Sequence, residues 1–252
     1  MYWDQLTSPE IDALERSIPV ILPIAATEQH GPHLPLATDR MIGEHFCRKI
    51  HEAIPEKTLI LPIVAIGCSE HHMEFAGSLT LSHESFSRQV EDILKSVAIH
   101  GFRNLIILNS HGGNLGIGTV ITEKFGYRYP EIKITFVTWW KVAGEALFPL
   151  NESGPGGVGH ACEFETSLML LIAPDLVKTK LIRQGANEAT FPWAEGDMLR
   201  GPRAGFYRTM KAMTPNGVYG DPRKASTEKG WEISRIVTES LVQLITDLRN
   251  VK

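Results

Sequence analysis

The chain has 252 residues, 43% of them hydrophobic, and a formal net charge of -4. That length buries a substantial core as one α/β domain or two small ones, and mild acidity without a basic run excludes an electrostatic footprint for nucleic acid. No apolar run reaches the ~20 residues a membrane-spanning helix needs, and charges interrupt the N-terminal "MYWDQLTSPEIDALERSIP" where a secretory signal requires an apolar core, so a cytoplasmic protein is expected.

Three apolar runs come first in chain order: "IPVILPIAA" (18–26), "TLILPIVAIG" (58–67) and "NLIILNSH" (104–111); "KITFVTWW" (133–140) is β-branched and aromatic. Short runs that are apolar on both faces and bounded by turn residues suit buried parallel strands. Helix-period segments lie between them. Residues 40–53 follow Asp39, "HESFSRQVEDILKSVAIHG" sets Phe86, Val90, Ile93, Leu94 and Val97 on one face, and "NLGIGTVITEKFGYRY" opens at Asn114, a good N-cap residue. "EFETSLMLLIAP" (163–174) is a short apolar helix ending at proline, and "STEKGWEISRIVTESLVQLITDLRN" closes the chain as a long amphipathic helix. Strand and helix alternate, which predicts an α/β fold, three-layer α/β/α with a mainly parallel sheet, in a single domain over 1–252. Residues 183–225, rich in Gly, Pro and aromatics, read as a lid, a subunit contact or an insertion. Cys47, Cys68 and Cys162 are scattered and odd in number, and read as reduced thiols.

Functional groups in such sheets gather where strands end. The first strand exits into Glu28-Gln29-His30-Gly31, the second into "GCSEHHMEFAG", and the third into "NSHGGN" with His111 at its tip. Glu28 and His30, two apart in an extended segment, point to one side. Asp39 returns at the start of the next helix, where an N-cap is the plain alternative. Two carboxylates and two imidazoles without thiolates suit Zn, Mn or Fe(II), and a bridging Asp holds two ions ~3.5–4 Å apart. Gly112 and Gly113 let the backbone pass close to whatever His111 binds. "GPGGVG" (154–159) fits a dinucleotide fingerprint literally, but no clean strand precedes it, a proline interrupts it, and Glu163 and Glu165 follow where a pyrophosphate would sit. The alternative is a loop that brings His160 and Glu163 towards the metals.

In this order, "EQHGPHLPLATD", "SEHHMEFAGSLTLS", "NSHGGN" and "GHACEFETSLML" resemble the creatininase (creatinine amidohydrolase) family, from near the N-terminus to about residue 175. The resemblance implies an α/β fold with a dinuclear metal centre, often assembled as a hexamer. It makes Glu28 and His111 ligands of one ion, His30 a ligand of the other, and Asp39 the bridge. Creatininase carries its second-metal glutamate where Gly113 stands here; two-glycine members have a glutamate matching Glu163, with Glu165 the runner-up. His160 matches a proton shuttle beside the substrate, and Trp140 matches one of two tryptophans that enclose the ring. The position of the second falls near Gly156, and the tyrosine after the metal histidine is replaced by Gly112. His33 or His72 is expected to orient ligands, and His72 either touches substrate or packs under Phe75. The expected activity is hydrolysis of a non-peptide C–N bond in a small molecule, a cyclic amide or a formamide, by hydroxide on one of two divalent ions. A deformylase or a mycofactocin-type peptidase of the same family, and a non-catalytic metal-binding protein, are the alternatives.

Overall fold

The fold, taken from a computed structural model that describes residues 1–250, is built on four parallel strands in the order β2-β1-β3-β4. These are β1 (Val20–Ile24), β2 (Leu59–Ile60), β3 (Asn104–Asn109) and β4 (Lys133–Thr138). Along the chain stand helices α1 (Ser8–Ala13), α2 (Thr38–Ala53), α3 (His83–Ile99), α4 (Leu115–Arg128), the single turns α5 (Trp139–Val142) and α6 (Gly144–Leu147), then α7 (Glu163–Ile172), the turn α8 (Met210–Met213) and α9 (Thr227–Asn250). A small antiparallel pair, β5 (Val158–His160) with β6 (Tyr219–Gly220), lies apart from the main sheet.

Successive strand residues face opposite sides of a sheet, and here each side has its own core. Ile21, Ile106, Leu108 and Val137 pack against Phe46 and Ile50 of α2, Phe164 and Leu168 of α7, and Val237 and Leu241 of α9. Val20, Leu22, Ile24, Leu105 and Ile107 pack against Phe86, Val90 and Leu94 of α3 and against Ile121 and Phe125 of α4. The result is a three-layer α/β/α sandwich with a parallel central sheet. β1 and β3 are buried throughout, as their two-sided apolar runs require, whereas β4 is an edge strand and half-buried over its first four residues.

The second strand is shorter than its apolar run. Pairing with β1 stops after Ile60 and resumes only as an isolated bridge between Ile24 and Val64. Pro62 has no N–H to give the ladder, and Pro23 of β1 lacks a donor on the same side. Asn114 precedes α4 but makes no cap bond. Its amide instead accepts from Cys68 N (3.0 Å) and donates to Ala25 O (3.1 Å), tying together the chain segments that leave β1 and β2. Among the described residues no helix is long and apolar enough to cross a membrane.

Candidate metal centre

The parallel sheet delivers its strand ends to one edge, and the side chains that meet there come from five segments. Glu28 and His30 follow β1, His111 follows β3, Asp39 stands in the first turn of α2, His160 ends β5, and Glu165 stands in the first turn of α7. Asp39 is inside its helix and does not cap it; the N-cap position is Ala37. The Asp39 carboxylate divides between two imidazoles, Oδ1 lying 3.2 Å from His30 Nε2 and Oδ2 lying 3.0 Å from His111 Nδ1. Glu28 Oε1 is 3.3 Å from His111 Nδ1 and 3.7 Å from His160 Nδ1. Glu165 Oε1 is 3.8 Å from His30 Nε2. Two donor sets result, Glu28/Asp39/His111 and His30/His160/Glu165, with Asp39 reaching both. A third set joins Glu28 to His72 and His160.

Neighbouring hydrogen bonds fix the imidazole tautomers. His30 donates from Nδ1 to Glu28 O (3.1 Å), His111 from Nε2 to Cys68 O (3.1 Å), and His160 from Nε2 to Gln29 O (2.7 Å). Each neutral ring then turns a lone pair, not a proton, towards a carboxylate. Such an arrangement repels itself unless positive charge lies between, and carbonyl partners of this kind are how proteins orient metal-binding histidines. Four atoms of the cluster, Glu28 Oε2, His30 Nε2, Asp39 Oδ2 and Glu165 Oε2, are buried without a hydrogen-bond partner. No Lys or Arg lines the cavity. Three nearly unexposed carboxylates with no Lys or Arg beside them are a heavy desolvation cost. The mixed N/O donor set, orphaned and pointing inward, fits divalent ions of the Zn, Mn or Fe(II) type.

The charges of the cluster act on one another. Burial pulls the imidazoles of His30 and His111 down, but Asp39 and Glu165 around His30, and Glu28 and Asp39 around His111, outweigh it and raise both well above the ordinary value. Burial would raise the Asp39 carboxyl, yet His30 and His111 hold it well below the usual range. His160, buried and beside His30, falls to about 3.

The family model described as creatinine amidohydrolase matches residues 4–245. The chain belongs to the creatininase family. It is 32% identical to a mycofactocin precursor peptide peptidase of Mycobacterium tuberculosis, over 95% of this chain and 88% of that protein. It is 28% identical to a creatinine amidohydrolase of Pseudomonas putida, over 90% and 87%. Among solved structures, a creatininase variant of Zn–Zn type aligns at 25% identity with a TM-score of 0.79, over 99% of this chain and 98% of that one. As a creatininase-family protein this chain is a metal-dependent amidohydrolase, and its buried donor sets are where divalent ions fit.

Within this creatininase frame, Glu28, His30, Asp39 and His111 meet in one cluster, and Glu163 does not join them. The Glu163 carboxylate binds Ser153, the backbone N–H of Glu152, and Lys229, on the other side of α7; Glu165 faces His30 in its place. His160 lies inside the cluster with Nε2 tied to a carbonyl, so the geometry makes it a donor to the second set more readily than a mobile proton shuttle. His33 stands behind the site: its Nε2 meets Thr166 Oγ1 at 2.9 Å, and burial followed by the nearby His30 lowers it to about 4. Gln29 orients His72. Its Oε1 accepts from Gly31 N (2.9 Å), so its Nε2 donates to His72 Nδ1 (3.0 Å) and leaves His72 Nε2–H to Glu28 Oε1 at 3.3 Å.

Gly112 and Trp140 line a cavity of about 130 Å³ directly over the donor groups, together with His71, Met198 and Met210. His71 is legible in hindsight from the adjacent His-His pair. Gln29 sits inside the same motif as two ligand candidates. The two methionines come from the irregular 183–225 segment, where no periodicity marks them. That segment, including α8, forms part of the cavity wall.

Proposed function

We propose that this protein hydrolyses a C–N bond of a small non-peptide amide, such as a cyclic amide, at a pair of divalent ions. Glu28, Asp39 and His111 would hold one ion, His30, His160 and Glu165 the other, with Asp39 between them. Such ions, when bound, polarise a carbonyl and lower the pKa of water to about 7. The remaining chemistry belongs to the protein. His72, set by Gln29, holds Glu28 in place through Nε2. Trp140 and Gly112 shape the cavity, which at about 130 Å³ suits a compact amide. His71, which makes no hydrogen bond among the described residues, is the cavity imidazole free to exchange a proton with the leaving nitrogen. The observation that carries this reading is the set of orphaned donor atoms on Glu28, His30, Asp39 and Glu165. A cytoplasmic location, in keeping with three free cysteines, and assembly of several copies belong to the same proposal.

A second reading, cleavage of a precursor peptide, is favoured by one observation. The small cavity shares Gly112, Trp140, Gly159 and Met198 with an adjoining space of about 560 Å³. That space in turn shares Gly196, Asp197, Gly201 and Tyr219 with a third of about 490 Å³. A substrate longer than a small amide would find these spaces beside the donor groups.

The test begins with metal content per chain, on protein purified without chelators or a metal-affinity tag, with gel filtration to read the assembly. Release of amine is then assayed on creatinine, other cyclic amides, formamides and short peptides. About two Zn, Mn or Fe ions per chain with turnover of small amides is the expected result. Cleavage confined to peptides selects the second reading. Wild-type protein that stays free of metal after incubation with these ions overturns both.

A further inference from the structure

Glu163 is fully buried at the start of α7, yet it turns away from the other carboxylates. Its oxygens accept from Glu152 N (3.2 Å), from Ser153 N (2.9 Å), from the Ser153 hydroxyl and from the Lys229 ammonium. Lys229, in α9 and also buried, donates to Lys224 O (3.0 Å) and pairs with Glu152 Oε1 (2.7 Å). The consequence is topological. Residues 153 and 163 are bonded to each other, so the chain between them is a closed loop fastened at its base.

That loop has little to hold it from within. Gly154 and Gly156 both sit at φ +77°, and Ala161 is in the left-handed region at φ +51°. Of its other ties, Gly157 N to Gly154 O (3.0 Å) is internal and His160 Nε2 to Gln29 O (2.7 Å) reaches the donor cluster, while Gly156 N to Asp197 Oδ2 (2.8 Å), Met198 N to Val158 O (2.9 Å) and Asp221 N to Gly157 O (2.9 Å) lead into the irregular 183–225 segment. The same loop carries His160 into the donor cluster and lines the cavity with Gly159. A buried ion pair gives little net stability, but its geometry is specific.

We propose that Glu163, Lys229 and Ser153 form a staple that closes the 153–163 loop and thereby sets the position of His160. Glu163 and Lys229 are positioning residues, acting through the loop. The proposal rests on the metal-centre reading only for where His160 points.

The experiment compares wild type, the double variant Glu163→Gln/Lys229→Met, Glu163→Gln, Ser153→Ala and Glu165→Gln. Amide hydrogen exchange is followed over 154–161 and over β3, and Co(II) binding is followed by stoichiometry and visible absorption. In the double variant, exchange over 154–161 rises about tenfold or more while β3 is unchanged. The variant still binds as many Co(II) ions as wild type, but with an altered visible spectrum, because a ligand has moved without a site being lost. Glu165→Gln loses Co(II) and leaves loop exchange as it was. Ser153→Ala keeps the charge pair, shows a smaller rise in loop exchange, and decides the matter if the double variant does not fold. Unchanged loop exchange in every staple variant that folds overturns the proposal. So does loss of Co(II) in Glu163→Gln to the extent seen in Glu165→Gln, since that makes Glu163 a ligand. Wild type that takes up no Co(II) refutes the metal-centre reading, and loop exchange, measured without metal, still judges the staple.

Discussion

Glu163 and Glu165 are two residues apart at the start of α7, which places them about 200° apart around the helix axis. Only one can face the cluster, and the rotation of α7 decides which. That rotation is unreadable locally, because the partner that draws Glu163 away is Lys229, 66 residues further on. Gly113 is easier to explain. A Cβ there would collide with Cys68 O and His111 Nε2, so a side-chain ligand has no room at that position and the carboxylate comes from α7. Ala161, between His160 and α7, is a buried non-glycine residue at φ +51°, a conformation that costs roughly 1–2 kcal/mol. Replacing it with glycine removes that cost and adds backbone entropy to the unfolded chain, so Ala161→Gly should lie within about 1 kcal/mol of wild type. Ala161→Val brings a β-branched side chain into the same conformation and into a filled site, and should lose about 2 kcal/mol or more. Urea denaturation measures both; a valine variant as stable as wild type would show that this turn is not strained.

At the scale of elements, α2 and α9 are joined by a buried histidine that the sequence leaves without a role. His45 donates from Nε2 to Ser234 Oγ (2.7 Å) and accepts the Arg48 guanidinium at Nδ1 (3.0 Å), so it is held neutral. Burial, and then Arg48 and Lys49, lower it to about 4. An unfolded histidine titrates near 6.5. Between pH 4 and 6.5 the unfolded chain therefore binds the extra proton, and stability rises with pH through this window. The contribution is fully present above about pH 6.5, fades towards pH 4, and amounts to about 3 kcal/mol at most. His45→Gln should remove this step: the stability difference between pH 7.5 and 4.5 is smaller in the variant, by chemical denaturation at both values. Equal pH dependence in the two proteins would mean that His45 is not held neutral. The elements that this pair connects were readable from periodicity, since α2, α3 and α9 each bury one face and β1 and β3 bury both. The contact itself was not, because residues 45 and 234 share no local pattern.

Across the whole molecule, the site follows from the topology of the sheet. Parallel strands joined by crossovers bring their C-terminal ends to one edge, which is why Glu28, His30 and His111 meet although β1 and β3 stand 80 or more residues apart in the chain. The cavity wall is different: Met198 and Met210 arrive from a segment whose path depends on bonds such as Met198 N to Val158 O, and nothing in its composition announces them. The cluster also places a requirement on stability. Glu28, Asp39 and Glu165 are almost unexposed, with orphaned oxygens and no Lys or Arg in the cavity wall. An ion that binds this folded cluster and not the unfolded chain stabilises by about 4 kcal/mol at a thousand times its Kd. For a chain of this size each kcal/mol moves Tm by about 2–4 °C, so saturating Zn or Mn should raise Tm by roughly 10 °C, reversibly on chelation. Asp39→Asn, which weakens the one carboxylate shared between the donor sets, should lose most of that rise. Its metal-free Tm should fall less, because the substitution also removes one buried carboxylate charge and its desolvation cost. The two quantities separate the ligand role of Asp39 from a purely structural one: a metal-induced rise that survives intact in Asp39→Asn would remove this carboxylate from the centre, and equal losses with and without metal would make it part of the packing alone.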